Sequence, residues 1–344
     1  MPTLTKEKND IARVIQKWFK KSARSFPWRH ASTPWGRLVS EFMSQQTQIE
    51  RVAERWPQMM VRFPTPESMA HSQEQDVLSL WQGLGYYRRA KHLKATAEMI
   101  TEEFNGEVPS DLESLLKLPG VGKYTAGAIA SIAFGKREPI VDGNVHRVFC
   151  RLFNKRDEPV SGKWTWDMAE QLVNACAKPQ VFNEGLMEFG ATICTPKSPS
   201  CDTCPLNQYC DAFNNGTQHE IPTPKKSPEK KRVHHYAVII ERGEEIAFEQ
   251  RGDKGLWAGM WQVPTIESTK KLNAKQISKR LELQNELHRV GEFEHILSHR
   301  IISFTVFACN GTSESRFSWI KRDALDELPL ASAQRKVLEV HCIA

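Results

Sequence analysis

The stretch Leu118-Pro-Gly-Val-Gly-Lys-Tyr-Thr-Ala-Gly127 decides how the N-terminal part of this chain is read. An apolar helical run through Leu112, Leu115 and Leu116 ends at Leu118. A glycine turn follows, and a second helix is expected to begin near Tyr124. A Gly-x-Gly turn, here Gly120 and Gly122, lets the backbone come close to a partner, and the first N–H groups of the next helix stand free to meet an anion. A phosphate suits such a turn, and its carbonyls suit a monovalent cation. The same residues also make a tight helix–helix turn whose glycines serve packing alone, and short glycine patterns do not choose between the two.

Working outward, Val141-Asp-Gly-Asn-Val-His-Arg147 puts an aspartate between an apolar run and a glycine, the setting of a helix N-cap for Asp142. Upstream, Ser40-Glu-Phe-Met-Ser-Gln-Gln-Thr47 lies in an expected helix. There Glu41 is surrounded by Val39, Phe42 and Met43, so partial burial and a raised pKa are expected. Ile11, Val14, Ile15, Trp18 and Phe19 fall on one helical face. Downstream, Cys194-x6-Cys201-x2-Cys204-x5-Cys210 gathers four thiols in a polar loop and implies a metal centre. Zinc sites favour two Cys-x-x-Cys pairs, and this loop has one. Cys150, Cys176, Cys309 and Cys342 lack such spacing and read as buried apolar residues.

The 344 residues, 40% hydrophobic and 26% charged, suit a soluble globular chain of two or three domains. Neither a membrane span nor a secretory leader is expected, so the cysteines are expected reduced. The net charge of +6 permits a nucleic-acid partner without proving one. Up to about Asn215 the pattern is helix after helix. Thr217–Arg232 is rich in proline and lysine and reads as an extended linker. Beyond it the period changes to two in HYAVII, EIAFEQR, WQVP, IISFTVFACN and RFSWI, with helices expected around 271–287 and 332–340. The expected domains are a helical one over 1–216, the linker 217–232 and an α/β one over 233–344.

LPGVGKYTAGAIAS followed by VDGNVHRV resembles the helix-hairpin-helix DNA glycosylases, and the cysteine spacing resembles the [4Fe–4S] loop of the endonuclease III and MutY families. With Arg24-Ser-Phe-Pro-Trp-Arg29, Gly83-Leu-Gly-Tyr-Tyr87 and Phe182-Asn-Glu-Gly-Leu-Met-Glu-Phe-Gly190, the chain is similar to MutY-type adenine DNA glycosylases from about Arg24 to Cys210. The fold implied is an all-α helix-hairpin-helix glycosylase domain with an iron–sulfur loop, followed by an α/β Nudix-like C-terminal domain. By that resemblance Glu41 is the general acid, Asp142 the second carboxylate, and Asn144 the residue that positions it. Tyr124 occupies the place where lyase-active relatives carry a lysine, so a monofunctional glycosylase is expected. Lys123, one position away, points elsewhere around the helix. Arg24, Phe26, Trp28, Arg29, Ile49 and Glu184 are implied at the pocket for the flipped base, and Gln46 and Tyr86 as the groups pushed into the duplex. Cys194, Cys201, Cys204 and Cys210 would hold a [4Fe–4S] cluster, and a monovalent cation is implied at the hairpin turn.

Leu256-Trp-Ala-Gly-Met-Trp-Gln-Val-Pro264 carries the likeness in the C-terminal module, whose Nudix catalytic box is absent between Gly252 and Gly291. Ser298 and His299 are implied as readers of 8-oxoguanine, with Leu297 where the family has Phe. Ser44 stands where the family commonly has Leu. The implied partner is double-stranded DNA with A opposite 8-oxoguanine or G, engaged by a monomer, in the cytoplasm of a bacterial-type cell at the nucleoid. The competing readings are an endonuclease III-like pyrimidine glycosylase/AP lyase, a Nudix hydrolase and a non-catalytic Fe–S DNA-binding protein. Tyr124, the missing Nudix box, and the joint presence of Glu41 and Asp142 count against them in turn.

Overall fold

A computed structural model describes residues 2–30, 33–224, 229–311 and 316–343. Its helices, in chain order, are α1 (Pro2–Ser22), α2 (Pro27–His30), α3 (Pro34–Ser44), α4 (Ile49–Arg62), α5 (Pro66–Ala70), α6 (Glu74–Leu80), α7 (Arg88–Glu103), α8 (Leu112–Lys117), α9 (Lys123–Ala128), α10 (Gly143–Leu152), α11 (Lys163–Asn174), α12 (Pro179–Thr192), α13 (Asp211–Asn214), α14 (Ala274–Arg280) and α15 (Ser332–Ile343). The strands are β1 (Lys231–Arg242), β2 (Glu245–Gln250), β3 (Trp261–Gln262), β4 (Thr265–Ser268), β5 (His288–Ile296), β6 (Arg300–Asn310) and β7 (Ser318–Lys321).

The chain forms two compact units. One holds residues 1–71 and 95–226, the other residues 72–94 and 227–344. A contiguous helical domain over 1–216 is therefore not how the chain packs, because residues 72–94 group with the C-terminal part. Among the described residues no helix is long and apolar enough to cross a membrane.

In the helical unit the caps set where elements start. Thr33 accepts from Gly36 N ahead of Pro34, whose fixed φ suits a first helical turn. Asp111 caps α8 through Ser114 N, and Asp142 caps α10 through Val145 N. The hairpin is as the sequence suggests: α8 ends at Lys117 and α9 begins at Lys123. Gly120 between them has φ +76°, a left-handed conformation that favours glycine. A π-helical turn, Ile129–Ala133, continues α9. Ile11 and Ile15 of α1, Val145 and Phe149 of α10, Leu172 of α11 and Phe182 and Phe189 of α12 make one buried core. Cys150, Cys176 and Cys309 are buried as expected; the side chain of Cys342 lies outside the described residues.

The C-terminal unit is built on a sheet ordered β3-β2-β1-β6-β5, with β4 on β1 and β7 on β2. β1 and β6 run parallel and the remaining named pairs antiparallel. Tyr236, Val238 and Ile240 turn one face of β1 to Ile277 and Leu281. On the other side α15 packs on β5, β6 and β1. Two expectations need correction. The helix expected over 271–287 is only α14, ended by Leu281 and a left-handed Glu282 at φ 47°. Strand β5 was not foreseen, because a register shift between Arg289 and Gly291 breaks its period-two pattern.

Candidate active site

Glu41 lies in the last turns of α3 with 8% exposure. Its Oε2 accepts a hydrogen bond from the Tyr124 hydroxyl at 3.1 Å, and the same hydroxyl lies 3.1 Å from Met187 Sδ. Burial pushes the Glu41 carboxyl up to about 7; Arg37 and the Tyr124 hydroxyl oppose that, while Glu184 and Asp142 add to it. Tyr124 itself is held well above its usual range, first by burial and then by Glu41 and Asp142, so it remains a donor.

Asp142 holds two N–H donors on its carboxyl: Val145 N on Oδ1 at 2.7 Å and Asn144 Nδ2 on Oδ2 at 3.0 Å. Burial raises its pKa, and these two donors, which favour the charged form, pull it back. Asn144 is held in turn by Arg147, whose Nη2 donates to Asn144 Oδ1 at 2.8 Å and to Gly190 O at 2.7 Å. The close approach of α10 and α12 needs glycine at 190, since a Cβ there would lie 2.7 Å from Asn144 Cβ. Lys123 is occupied elsewhere, with Nζ 3.8 Å from the centre of the Trp166 ring.

A network of arginines and carboxylates stands beside this pair. Arg37 donates to Glu184 Oε1 at 2.7 Å. Arg24 Nε donates to Glu188 Oε1 at 2.7 Å, and Arg29 Nη2 to Glu188 Oε2 at 3.1 Å. Burial alone would raise the Glu188 carboxyl, but Arg24 and Arg29 bring it below its ordinary value. Phe26 and Trp28 are buried and stack at 5.0 Å, with both arginines over the Phe26 ring. They underlie the arginines more than they face open space. Ile49 opens α4 half-buried. Gln46 (φ 55°) and Tyr86 (φ 47°) are both exposed non-glycine residues in the left-handed region, a strained backbone that collects at functional loops. Ser44 ends α3 just before Gln46.

The hairpin turn presents Gly120 and Gly122, with nothing within 4 Å of where a Cβ at Gly122 would sit. The Pro119 carbonyl on that turn accepts the Thr96 hydroxyl at 2.7 Å, and nothing among the described residues or in the comparisons supports the cation implied there. In the C-terminal unit Ser298 and His299 sit on the tight turn joining β5 to β6, closed by Leu297 N on Arg300 O at 2.9 Å. Both belong to the same compact unit as Tyr86.

The four cysteines line one pocket together with Val148, Leu152, Phe189 and Leu206. Burial and then, after an opposing backbone hydrogen bond, the neighbouring sulfurs push Cys204 up to about 12, so thiolates here call for cationic ligation. Arg151 Nη1 points at Cys194 Sγ from 3.4 Å and ties the loop through Thr195 O at 2.7 Å and Pro196 O at 3.0 Å. Among the described residues no three His, Cys, Asp or Glu side chains converge as ligands of one metal ion. The donor set and its shared cavity fit a multi-atom iron–sulfur cluster.

The sequence reading missed Arg37, Met187, Glu188 and Arg147. Signals existed for two of them. Arg37 is four residues before Glu41, and Glu188 four after Glu184, so each shares a helix face with a residue already singled out.

A glycine hairpin, a buried Glu and a capped Asp, with a four-cysteine loop behind them, define a helix-hairpin-helix base-excision glycosylase. Comparison agrees: residues 39–173 match the HhH-GPD superfamily of base excision DNA repair proteins, 194–210 the iron–sulfur binding domain of endonuclease III, and 235–340 a NUDIX domain. The chain is 31% identical to the adenine DNA glycosylase of Homo sapiens, over 96% of this chain and 75% of that one. It is 30% identical to the adenine DNA glycosylase of Buchnera aphidicola subsp. Schizaphis graminum, over 96% and 98%. A thermostable thymine-DNA glycosylase structure superposes with TM-score 0.58 at 31% identity, over 61% of this chain and 98% of that one. The chain belongs to the adenine DNA glycosylases, hydrolases of N-glycosyl bonds that act in base excision repair.

Proposed function

We propose that this enzyme, acting as a monomer on double-stranded DNA, excises adenine paired with 8-oxoguanine or G, and that Glu41 and Asp142 are its catalytic pair. The observation that carries the reading is a buried Glu41 carboxyl, pushed to about 7, that feels the charge of Asp142, a second carboxyl whose pKa burial raises against the pull of its two N–H donors. Two buried carboxyls in unlike environments, one beside a tyrosine hydroxyl and one capped by two N–H donors, are the kind of pair that divides the acid and anion roles. Protonated Glu41 delivers its proton to adenine N7, which turns a poor leaving group into a good one. The sugar C1′ develops oxocarbenium character, which the Asp142 carboxylate stabilises. Glu41, now ionised, takes a proton from the attacking water. Asn144 orients Asp142, and Tyr124 orients Glu41.

Arg24, Phe26, Trp28, Arg29, Ile49 and Glu184 surround the flipped base in this reading, with Glu184 and Glu188 fixing the arginines. Gly120 and Gly122 let the hairpin N–H groups meet a phosphate. Gln46 and Tyr86 enter the duplex, and Ser298 and His299 meet the oxidised base with a hydroxyl and an imidazole. Cys194, Cys201, Cys204 and Cys210 would hold a [4Fe–4S] cluster, which supplies thiolate–iron bonds that order the loop.

With a tyrosine at 124 and the Lys123 amine over Trp166, neither position offers a free amine for a Schiff base. A duplex with one A·8-oxoguanine pair should therefore be cut at the A only after alkali, and borohydride should trap little protein on DNA. Strand cutting without alkali, together with efficient trapping, would replace this reading by a glycosylase-lyase.

A further inference from the structure

Residues 72–94 belong to the compact C-terminal unit although both their ends are continuous in sequence with the helical unit. The bonds that make them so are specific. Gln82 Nε2 donates to Leu328 O at 2.7 Å, and Gln82 Oε1 accepts from Arg335 Nε at 3.1 Å and Nη2 at 2.5 Å. Ser79 Oγ donates to Glu327 O at 2.8 Å, and Gln75 Nε2 to Gly259 O at 3.2 Å. Gln82 thus spends both ends of its amide on the C-terminal fold, and Arg335 presents a planar fork to one oxygen.

From Gln82 the chain runs straight into the loop that carries Tyr86. That loop is stiff. Trp81 Nε1 donates to Gly85 O at 3.1 Å, and Arg89 Nη2 to Leu84 O and Gly85 O, each at 3.0 Å. At its tip the Tyr86 hydroxyl donates to Ser298 Oγ at 3.3 Å. An exposed bond of that length contributes little alone. The register of Tyr86 against Ser298 must come from the half-buried contacts at the base of the loop.

We infer that Gln82 and Arg335 are positioning residues for lesion discrimination, a clasp that holds the Tyr86 loop in register with the Ser298–His299 turn. Their side chains bond to protein groups and act through Tyr86 and Ser298. The inference rests on the proposed reading that these two residues meet the 8-oxoguanine side of the pair.

The test uses the full-length protein and the ratio of binding constants for A·8-oxoguanine over A·G duplexes at fixed salt, because absolute affinities follow salt. Gln82→Leu and Arg335→Met should each lower that ratio about fivefold, the size of one lost useful hydrogen bond. Single-turnover excision from A·G should stay within about twofold. Since both residues make one clasp, the double variant should fall no further than the worse single. Arg335→Lys, which keeps one donor, should recover part of the ratio, and it decides the matter should Arg335→Met not fold. Ser298→Ala with His299→Ala serves as the reference. If that reference lowers the ratio and the clasp variants leave it within about twofold of wild type, the clasp is overturned and the lesion reading stands. If neither moves the ratio, the lesion reading falls and the clasp with it.

Discussion

The Tyr124 hydroxyl donates to Glu41 and so favours the charged carboxylate, against burial that favours the acid. Removing it should raise the Glu41 pKa further. In Tyr124→Phe the alkaline limb of the single-turnover pH–rate profile should move up by roughly half a unit to one unit, the equivalent of one hydrogen bond near 1 kcal/mol. An unmoved limb would separate Glu41 from that titration. The same shift bears on stability. The folded protein keeps this proton up to about pH 7, whereas an unfolded chain releases it near 4.5. Between those values the folded state binds more protons, so stability falls as pH rises through the window. The acid that the chemistry uses is thus held at a cost to the fold.

At the scale of elements, α10 joins the cysteine loop to the carboxylate pair. Asp142 caps its first turn, and one turn further on Arg147 reaches Asn144, Gly190 O and, through Nε at 2.8 Å, Cys194 O. Arg151, one turn later, holds Thr195 O and Pro196 O. Arg147→Met should leave those acceptors unpaired and free Asn144 to turn. Single-turnover excision should drop by about 10- to 100-fold, as for loss of charged hydrogen bonds of about 1.5–3 kcal/mol. Unchanged excision in a folded variant would mean that Asn144 needs no support from Arg147. Much of this scale was readable in advance. The hairpin, the Asp142 cap and the burial of Glu41 follow from glycine spacing, a cap residue before a helix and apolar neighbours. The part of Arg147 is not legible in its motif, because beside Asn144 its partners are the Gly190 and Cys194 backbone carbonyls, and carbonyls leave no trace in residue identity. Strand β5 escaped for a related reason, since a bulge shifts the alternation by which a strand is recognised.

At the scale of the whole molecule, the grouping of residues 72–94 with the C-terminal unit could not be read from sequence, because the partners are distant in the chain and largely main-chain oxygens. That unit also holds a buried titratable group. His235 is 1% exposed, packed against Trp257 and Phe304, with neither ring nitrogen hydrogen-bonded. Burial holds its pKa well below 6.5; Glu267 opposes that shift, while Arg251, Arg300 and His295 favour it. An unfolded chain takes up this proton as pH falls through about 6.5 and the folded unit does not, so stability present above that pH is lost as pH falls. The C-terminal unit should lose on the order of 1–3 kcal/mol on acidification below pH 6.5, read by denaturant titration of tryptophan fluorescence. His235→Phe should flatten that dependence, and an equally steep variant would place the titration elsewhere.

The central claim is that Glu41 is the acid of adenine excision, and single-turnover release of adenine from an A·8-oxoguanine duplex by Glu41→Gln tests it most directly. An amide cannot protonate N7, so duplex binding should persist while excision falls by at least about 10²–10⁴-fold. Excision by this variant at close to the wild-type rate would contradict the account.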